Sequence, residues 1–440
     1  MSTSPTVDPD SALYLGIDLG TSGIRAILID EQEHVVASAR ASLPPPRQHG
    51  SAIEQDAGLW WSGIVEVITR LRRQVPLHSV RAIAVDGTSG TVLLTDAKGQ
   101  PLHAALMYND SRARTQLPVL RELAPADSPV QSATSGLAKS LWLTAQPYAA
   151  KARYLLHQAD WVAGKLTGRF GFSDPNNSLK TGYDAMHNCW PTWLEQVPLP
   201  RDWLPSVLPQ ATPISSIDPA VAKELGFSPR AQIIAGTTDS TASFIATGAS
   251  QIGDAVTALG STLVLKIIAA EPIMAMHYGI YSQPLGQHWL AGGASNSGGA
   301  VLQHYFTDAT MAQLEARLKP ATPTGLDYYP LLAAGERFPI NDPDLQPRLS
   351  PRPEADWQFF QGLLEGIAAI EHRGYQRLAE CGAPWPRAIR TTGGGARNSA
   401  WTQIRARLLN VPLLAADHDE AAFGSARLAR QAMTTRRQCP

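Results

Sequence analysis

The first clear pattern in the chain is the apolar run Leu13-Tyr14-Leu15-Gly16-Ile17, followed at once by Asp18-Leu19-Gly20-Thr21-Ser22-Gly23. A short apolar run that stops at glycine and hydroxyl residues reads as a buried strand ending in a tight turn. Ile24 to Ile29 reads as a second strand, residues 30–34 as a hairpin tip, and Val35 onward as a third strand. Between Asp56 and Val75 the apolar positions are Leu59, Trp60, Ile64, Val67, Ile68 and Leu71, whose three- and four-residue spacing predicts an amphipathic helix. Val80 to Val85 predicts another strand, the turn Asp86-Gly87-Thr88-Ser89-Gly90 follows it, and Thr91 to Leu94 continues as strand. Strands alternating with helices in this way predict an α/β domain.

Further on, Ser140 to Leu166 reads as helical and Gly168 to Asn188 as an aperiodic loop wall. Pro198, Pro200, Pro205, Pro209 and Pro213 suit a boundary zone better than a core. Gln232 to Ala235 then opens a second set of elements as a strand leading into Gly236-Thr237-Thr238-Asp239-Ser240. Thr257 to Ile268 reads as paired strands broken at Gly260-Ser261-Thr262, Trp357 to Leu378 as a long helix, and Ile389 to Thr392 as a late strand. The turn Gly393-Gly394-Gly395 leads into a helix from about Ser399 to Leu409, and the last ten or so residues read as a frayed tail. The expected division is a domain over 11–231 and another over 232–432. Each half carries a strand and then an acidic hydroxyl-rich turn, an echo without a fixed period, which suggests two similar halves around a central cleft.

Composition narrows the classes. A chain of 440 residues is long enough for two domains. Lysine and arginine number 37 against 38 aspartates and glutamates, so the balance gives no reason to expect nucleic acid or an acidic membrane as partner. Cys189, Cys381 and Cys439 are far apart, residues 1–12 are polar without a basic lead into an apolar stretch, and no run of eighteen apolar residues occurs. The expectation is free thiols in the cytoplasm.

The turns carry the candidate chemistry. Asp18 follows a buried run and precedes glycines that let backbone approach a ligand. Free N–H groups with the Thr21 and Ser22 hydroxyls suit phosphate oxygens, and a hard carboxylate suits Mg²⁺. The same aspartate would serve equally to stabilise a turn. Asp239 is the candidate general base, because a sugar-like hydroxyl attacks well only when its proton has a carboxylate within about 3 Å to go to. Helix capping by Asp239 or Ser240 is the compatible structural alternative. Gly260, Ser261 and Thr262 form a small turn suited to terminal phosphates. Gly394 and Gly395 with Asn398 form a loop suited to a planar ring or ribose, although a glycine turn before a helix is also common. Asp86, Thr88, Ser89 and Asp110 place small polar groups after apolar strands and suit a polyhydroxy acceptor, with plain surface loops as the alternative. The P-loop, the protein-kinase set, the dinucleotide fingerprint, the zinc helix and the serine elbow are all absent from the sequence. The chemistry favoured is phosphoryl transfer from a nucleotide to a small polar acceptor.

In order and spacing these segments resemble the FGGY carbohydrate kinases of the actin-like ATPase superfamily, over about residues 11–430. The matching pieces are Asp18-Leu19-Gly20-Thr21-Ser22, Gly236-Thr237-Thr238-Asp239, Leu259-Gly260-Ser261-Thr262, Gly335-Glu336-Arg337-Phe338-Pro339 and Gly393-Gly394-Gly395 with Asn398. The resemblance implies two actin-like (ribonuclease H-like) α/β domains with a central cleft, and ATP with Mg²⁺. It implies Asp239 as base and a substrate and metal contact, Asp18 as metal-placing carboxylate, and a small-molecule sugar as partner to a monomer or homodimer. The stretch Gly87-Thr88-Ser89-Gly90 lacks the Gly-Gln-Met-His-Gly of many xylulose kinases, and Asp86-Gly87-Thr88-Ser89 resembles the Asp-x-Thr-Cys/Ser segment of the ribulose-kinase branch. The implied reaction is phosphorylation of D-ribulose to D-ribulose 5-phosphate. D-xylulose is the nearest alternative, and a non-catalytic nucleotide-binding member of the actin-like fold is the alternative of another class.

Overall fold

The strand Leu13–Leu19 is buried along its whole length because two different layers cover its faces. Leu13, Leu15, Ile17 and Leu19 pack with Trp60, Ile64 and Val67 of the helix Ala57–Arg72. Tyr14 joins Phe423 and Ala426 of the helix Ala421–Gln438 on the opposite face. This is the period-2 consequence of a strand between two helical layers. At Gly16 the second layer comes so close that a Cβ would lie 1.9 Å from the carbonyl oxygen of Ala422, so no side chain fits there.

The computed structural model describes residues 11–438 and divides into two units. One holds residues up to Ala246 together with the returning segment from Glu420, and the other holds Thr247–Asp419. Cys439 and the polar residues 1–10 lie outside the described residues. Cys189 and Cys381 are free thiols. Among the described residues no helix is long and apolar enough to cross a membrane.

In the first unit a six-stranded sheet runs in the order Pro213–Ser216, Gln232–Thr238, Val80–Gly87, Leu13–Leu19, Gly23–Ile29, Val35–Ser42. The middle three strands are parallel and the outer ones antiparallel. In the second unit the order is Tyr281–Leu285, His288–Ala294, Leu263–Ala269, Asp254–Leu259, Ala388–Thr392, Leu413–Ala415. There four antiparallel strands, with Tyr281–Leu285 at the edge, pass into two parallel pairings. In each unit the first strand of the sheet in chain order, Leu13–Leu19 or Asp254–Leu259, pairs antiparallel with the next strand and in parallel with a later one. This is the topological form of the weak echo in the sequence.

The expected division at 231/232 is corrected. Gln232–Thr238 pairs in parallel with Val80–Gly87, so it completes the first sheet and cannot open the second unit. The proline-rich stretch is not a boundary either, since Pro213–Ser216 is an edge strand of that sheet, a position proline tolerates. The expected frayed tail is helix through Gln438. The expected loop wall over 168–188 contains the strand Phe172–Ser173 and the fully buried short helix Pro175–Leu179.

Candidate functional site

Three parallel strands of the first unit end together, and each end carries an aspartate. In the ladder Asp18 sits opposite Asp86. Thr237 sits opposite Asp86 and Thr238 opposite Gly87, so Asp239 is the next residue out. Asp18 is buried, and its Oδ2 accepts a 2.9 Å bond from Nη1 of Arg25. Asp86 is fully buried, and its Oδ2 accepts a 2.5 Å bond from the Ser425 hydroxyl of the returning helix. Its Oδ1 has no hydrogen-bond partner among the described residues. Burial raises the Asp18 carboxyl despite Arg25. Burial first and then the facing Asp18 charge push Asp86 well above the ordinary carboxylate range.

Asp239 is half-buried, begins the helix Asp239–Ala246, and accepts a 2.6 Å bond at Oδ1 from the N–H of Ser240. Its approach is shaped by an irregularity. Ile234 faces Ala84 but Thr237 faces Asp86, so the strand carries one extra residue there, a β-bulge. Gly236 makes the bulge possible, since a Cβ would stand 2.0 Å from the Val85 carbonyl oxygen. Beneath it, Nδ2 of Asn176 and Nε2 of Gln210 donate to Thr237 Oγ1 at 2.9 and 2.8 Å, and Nδ2 of Asn177 donates to the Thr237 carbonyl at 3.2 Å. None of the three amides was singled out in the sequence. The paired Asn-Asn after the Asp174-Pro175 helix start is the signal that could have found two of them; Gln210 carries none.

The expected acceptor residues are less open than the sequence suggests. Thr88 is buried, and its hydroxyl lies 2.7 Å from Gln158 Oε1 and 2.6 Å from Thr91 Oγ1. Asp110 is fully buried and accepts from the backbone N–H groups of Ile53 and Arg112 and from Nε of Arg112. Asp86, Thr88 and Asp110 therefore shape the loops from within, whereas Ser89 is only half-buried. The physical reason is that turn residues at strand ends satisfy neighbouring loops before they face solvent.

Next to the Asp110 loop, Lys139 is fully buried and donates to the Met107 carbonyl at 2.8 Å. Burial lowers its ammonium to about 7, against the opposing pull of Asp110. A depressed lysine favours the neutral fold, so its contribution to stability is present above the ordinary lysine range and is lost as pH falls through about 7. Lys139→Met removes that dependence. Between pH 9 and pH 6 the difference in unfolding free energy between variant and wild type moves in the variant's favour by about 2–3 kcal/mol, as read from denaturant titrations at the two pH values. A difference that stays flat with pH contradicts the placement of this lysine.

In the second unit, a cavity of about 510 Å³ brings together Gly260, Ser261, Gly394, Gly395 and Asn398. Thr262 is not among its lining residues. Gln303, Asp308 and Glu315, missed in the sequence, also line it. The helix Asp308–Glu315 is only weakly amphipathic, which hid it. The Asn398 Oδ1 accepts from Trp401 N–H at 2.7 Å, so its acceptor caps the helix Ser399–Leu409 and its Nδ2 donor remains for other use. The Gly260 turn is braced by N–H bonds from Gly299 and Ala300 to the Gly260 and Ser261 carbonyls. The Glu336 carboxylate, in the Gly-Glu-Arg segment, accepts from the Ser295 hydroxyl, the Asn296 N–H and the Tyr329 hydroxyl and so fixes the loop that leads into that brace.

Mg²⁺ is commonly held by one or two carboxylates plus substrate phosphates. Asp18 and Asp86 face each other across the ladder, and the Asp86 Oδ1 has no hydrogen-bond partner among the described residues, so they are oxygen donors of the kind such an ion takes. Among the described residues there is no group of three or more ligating side chains.

The family description for the N-terminal domain of FGGY carbohydrate kinases matches residues 13–246, and that for the C-terminal domain matches 255–433. A xylulose kinase of Escherichia coli K12 is 26% identical over 446 residues, covering 95% of this chain and 90% of its own. A gluconokinase of Bacillus subtilis 168 is 22% identical, covering 90% and 82%. A crystal structure of a xyloylose kinase from Brucella ovis superposes with a TM-score of 0.86 at 26% identity, covering 96% of this chain and 91% of that one.

Proposed function

Because the chain belongs to the FGGY family of carbohydrate kinases, we propose that it transfers the terminal phosphoryl group of ATP to a hydroxyl of D-ribulose, giving D-ribulose 5-phosphate. The observation that carries this reading is the row of aspartates, Asp18, Asp86 and Asp239, at the ends of three adjacent parallel strands. Asp239 is the half-buried member and takes the acceptor's proton as the new O–P bond forms and the bond to the departing ADP breaks. Asp18 and Asp239, with Asp86 between them in the row, would hold Mg²⁺, which when bound neutralises phosphate charge. The Gly20 N–H closes the turn on the Gly23 carbonyl at 3.0 Å, and Thr21 and Ser22 in that turn offer N–H and hydroxyl donors to phosphate oxygens. Gly260, Ser261 and Thr262 hold the terminal phosphates, and Gly394, Gly395 and Asn398 hold the adenosine. Ser89 and Asp239 contact the sugar, while Asp86, Thr88 and Asp110 set the shape of its pocket from behind.

The choice of D-ribulose rests on Asp86-Gly87-Thr88-Ser89 in place of a Gln-Met-His segment. D-xylulose is the second reading, favoured by the E. coli relative. Relatives at 22–26% identity carry both xylulose and gluconate in their names, so likeness alone does not select a sugar. A coupled assay of ADP release over D-ribulose, D-xylulose, L-ribulose, gluconate and glycerol tests the choice. D-ribulose is expected to give the highest kcat/KM, and a clear preference for D-xylulose overturns it.

A further inference from the structure

We propose that Asn176, Asn177 and Gln210 are positioning residues that aim the Asp239 carboxylate by gripping Thr237, an inference that rests on the reading of Asp239 as the base. The bulge creates the need. With one extra residue between the Ile234–Ala84 and Thr237–Asp86 pairings, only Thr237 and Thr238 pair again before the chain leaves the sheet, so the exit direction depends on how firmly this short end of the ladder is held. That direction decides where Asp239, two residues on, presents its carboxylate.

The grip reinforces this short end of the ladder. Three side-chain amides converge on one residue, two on its hydroxyl and one on its carbonyl. Thr237, Asn176 and Asn177 are fully buried, so water does not compete for these bonds and their geometry is well defined. The amides are themselves held. Asp174 Oδ1 accepts the backbone N–H groups of Asn176 and Asn177 at 2.8 and 3.1 Å, and its Oδ2 accepts Nδ2 of Asn177 at 2.5 Å. Asn177 Nδ2 therefore bridges the helix cap and the strand that ends in the base. Gln210 grips from the other side, out of the loop that precedes the edge strand Pro213–Ser216. A cap serving only the short helix Pro175–Leu179 would need Asp174 alone and would not spend asparagine side chains on residue 237.

The test compares Asn177→Ala, Thr237→Val, Thr237→Ser and Gln210→Ala with wild type and with Asp239→Asn. Each is read for kcat with D-ribulose, KM for ATP, and ATP hydrolysis in the absence of sugar. Misaiming the base costs acceptor-dependent turnover selectively. Asn177→Ala and Thr237→Val are expected to lower kcat by about 100-fold, the scale of an ångström-sized misplacement, with KM for ATP and sugar-free hydrolysis within about twofold. Thr237→Ser keeps the hydroxyl and is expected to stay within about threefold of wild type. Gln210 is only half-buried, so Gln210→Ala folds even where the buried variants do not, and it is expected to lower kcat about tenfold at an unchanged unfolding temperature. If Gln210→Ala and every folded buried variant keep near-normal kcat while Asp239→Asn is inactive, the positioning inference is wrong and the base stands. If Asp239→Asn also keeps its turnover, the reading of the base itself fails.

Discussion

Asp239→Asn is expected to cut sugar-dependent ADP release by a factor of about 10²–10⁴, the range contributed by a positioned general base. The amide is nearly isosteric with the carboxylate, and its oxygen can keep the bond that Asp239 Oδ1 accepts from the Ser240 N–H. The side chain is half-buried, so folding is expected to change by less than about 1 kcal/mol. What is lost is basicity, because an amide does not take the acceptor's proton at neutral pH. The residues proposed to hold adenosine, Gly394, Gly395 and Asn398, lie in the other unit, so KM for ATP should stay within about threefold. Steady-state kinetics with both substrates varied checks this. A loss confined to KM would instead assign Asp239 to binding.

The second large effect falls on stability. Arg405 and Glu371 are both fully buried, and the guanidinium makes two bonds to the carboxylate, Nε to Oε2 at 2.6 Å and Nη2 to Oε1 at 2.7 Å. Arg405 also donates to Thr391 at 2.8 Å, and the Thr257 hydroxyl donates to Glu371 at 2.5 Å. Thr257 and Thr391 lie in the strands Asp254–Leu259 and Ala388–Thr392, whose ends carry the Gly260 turn and the Gly393 turn. The ion pair thus pins together the two strands that feed the cavity. Arg405→Met leaves a buried carboxylate without its cation and is expected to cost about 3–5 kcal/mol. The transition of the second unit should fall by about 10 °C, with KM for ATP raised as the two turns loosen. Adding Glu371→Leu removes the orphaned charge and should restore most of the stability, because a buried pair is often worth little against apolar replacements. Calorimetry of wild type, single and double variants separates these outcomes. A single variant as stable as wild type contradicts the account of the network.

Much of the fold could be read from local pattern. The opening strands, the hairpin at 254–269 and the helix Ser399–Leu409 each declare themselves within a dozen residues, through period-2 burial, a glycine turn or an Asn cap. What was not legible depends on pairing across distance. Gln232–Thr238 joins the first unit because it pairs with Val80–Gly87, some 150 positions back, and no local signal carries that fact. The returning helix was missed because it docks through small residues, Ala422, Ser425, Ala426 and Ala429, against a strand with glycine at 16, so it has no stripe of large apolar positions. In the candidate site, the acidic turns stood out because glycine and hydroxyl residues follow apolar runs. The sequence did not tell which carboxylates face inward. Asp86 and Asp110 look as accessible in the sequence as Asp239, yet tertiary packing buries both. The amides that grip Thr237 come from a five-residue helix and a loop, elements too short to show periodicity.

The central claim is that this chain moves a phosphoryl group from ATP to a hydroxyl of a sugar. Phosphorus NMR of purified protein with Mg-ATP and D-ribulose tests it most directly, because sugar phosphate, ADP and inorganic phosphate give separate signals. The account predicts one D-ribulose 5-phosphate for each ADP formed, with little inorganic phosphate. ADP accompanied only by inorganic phosphate, or no ADP with any ketopentose, would contradict it.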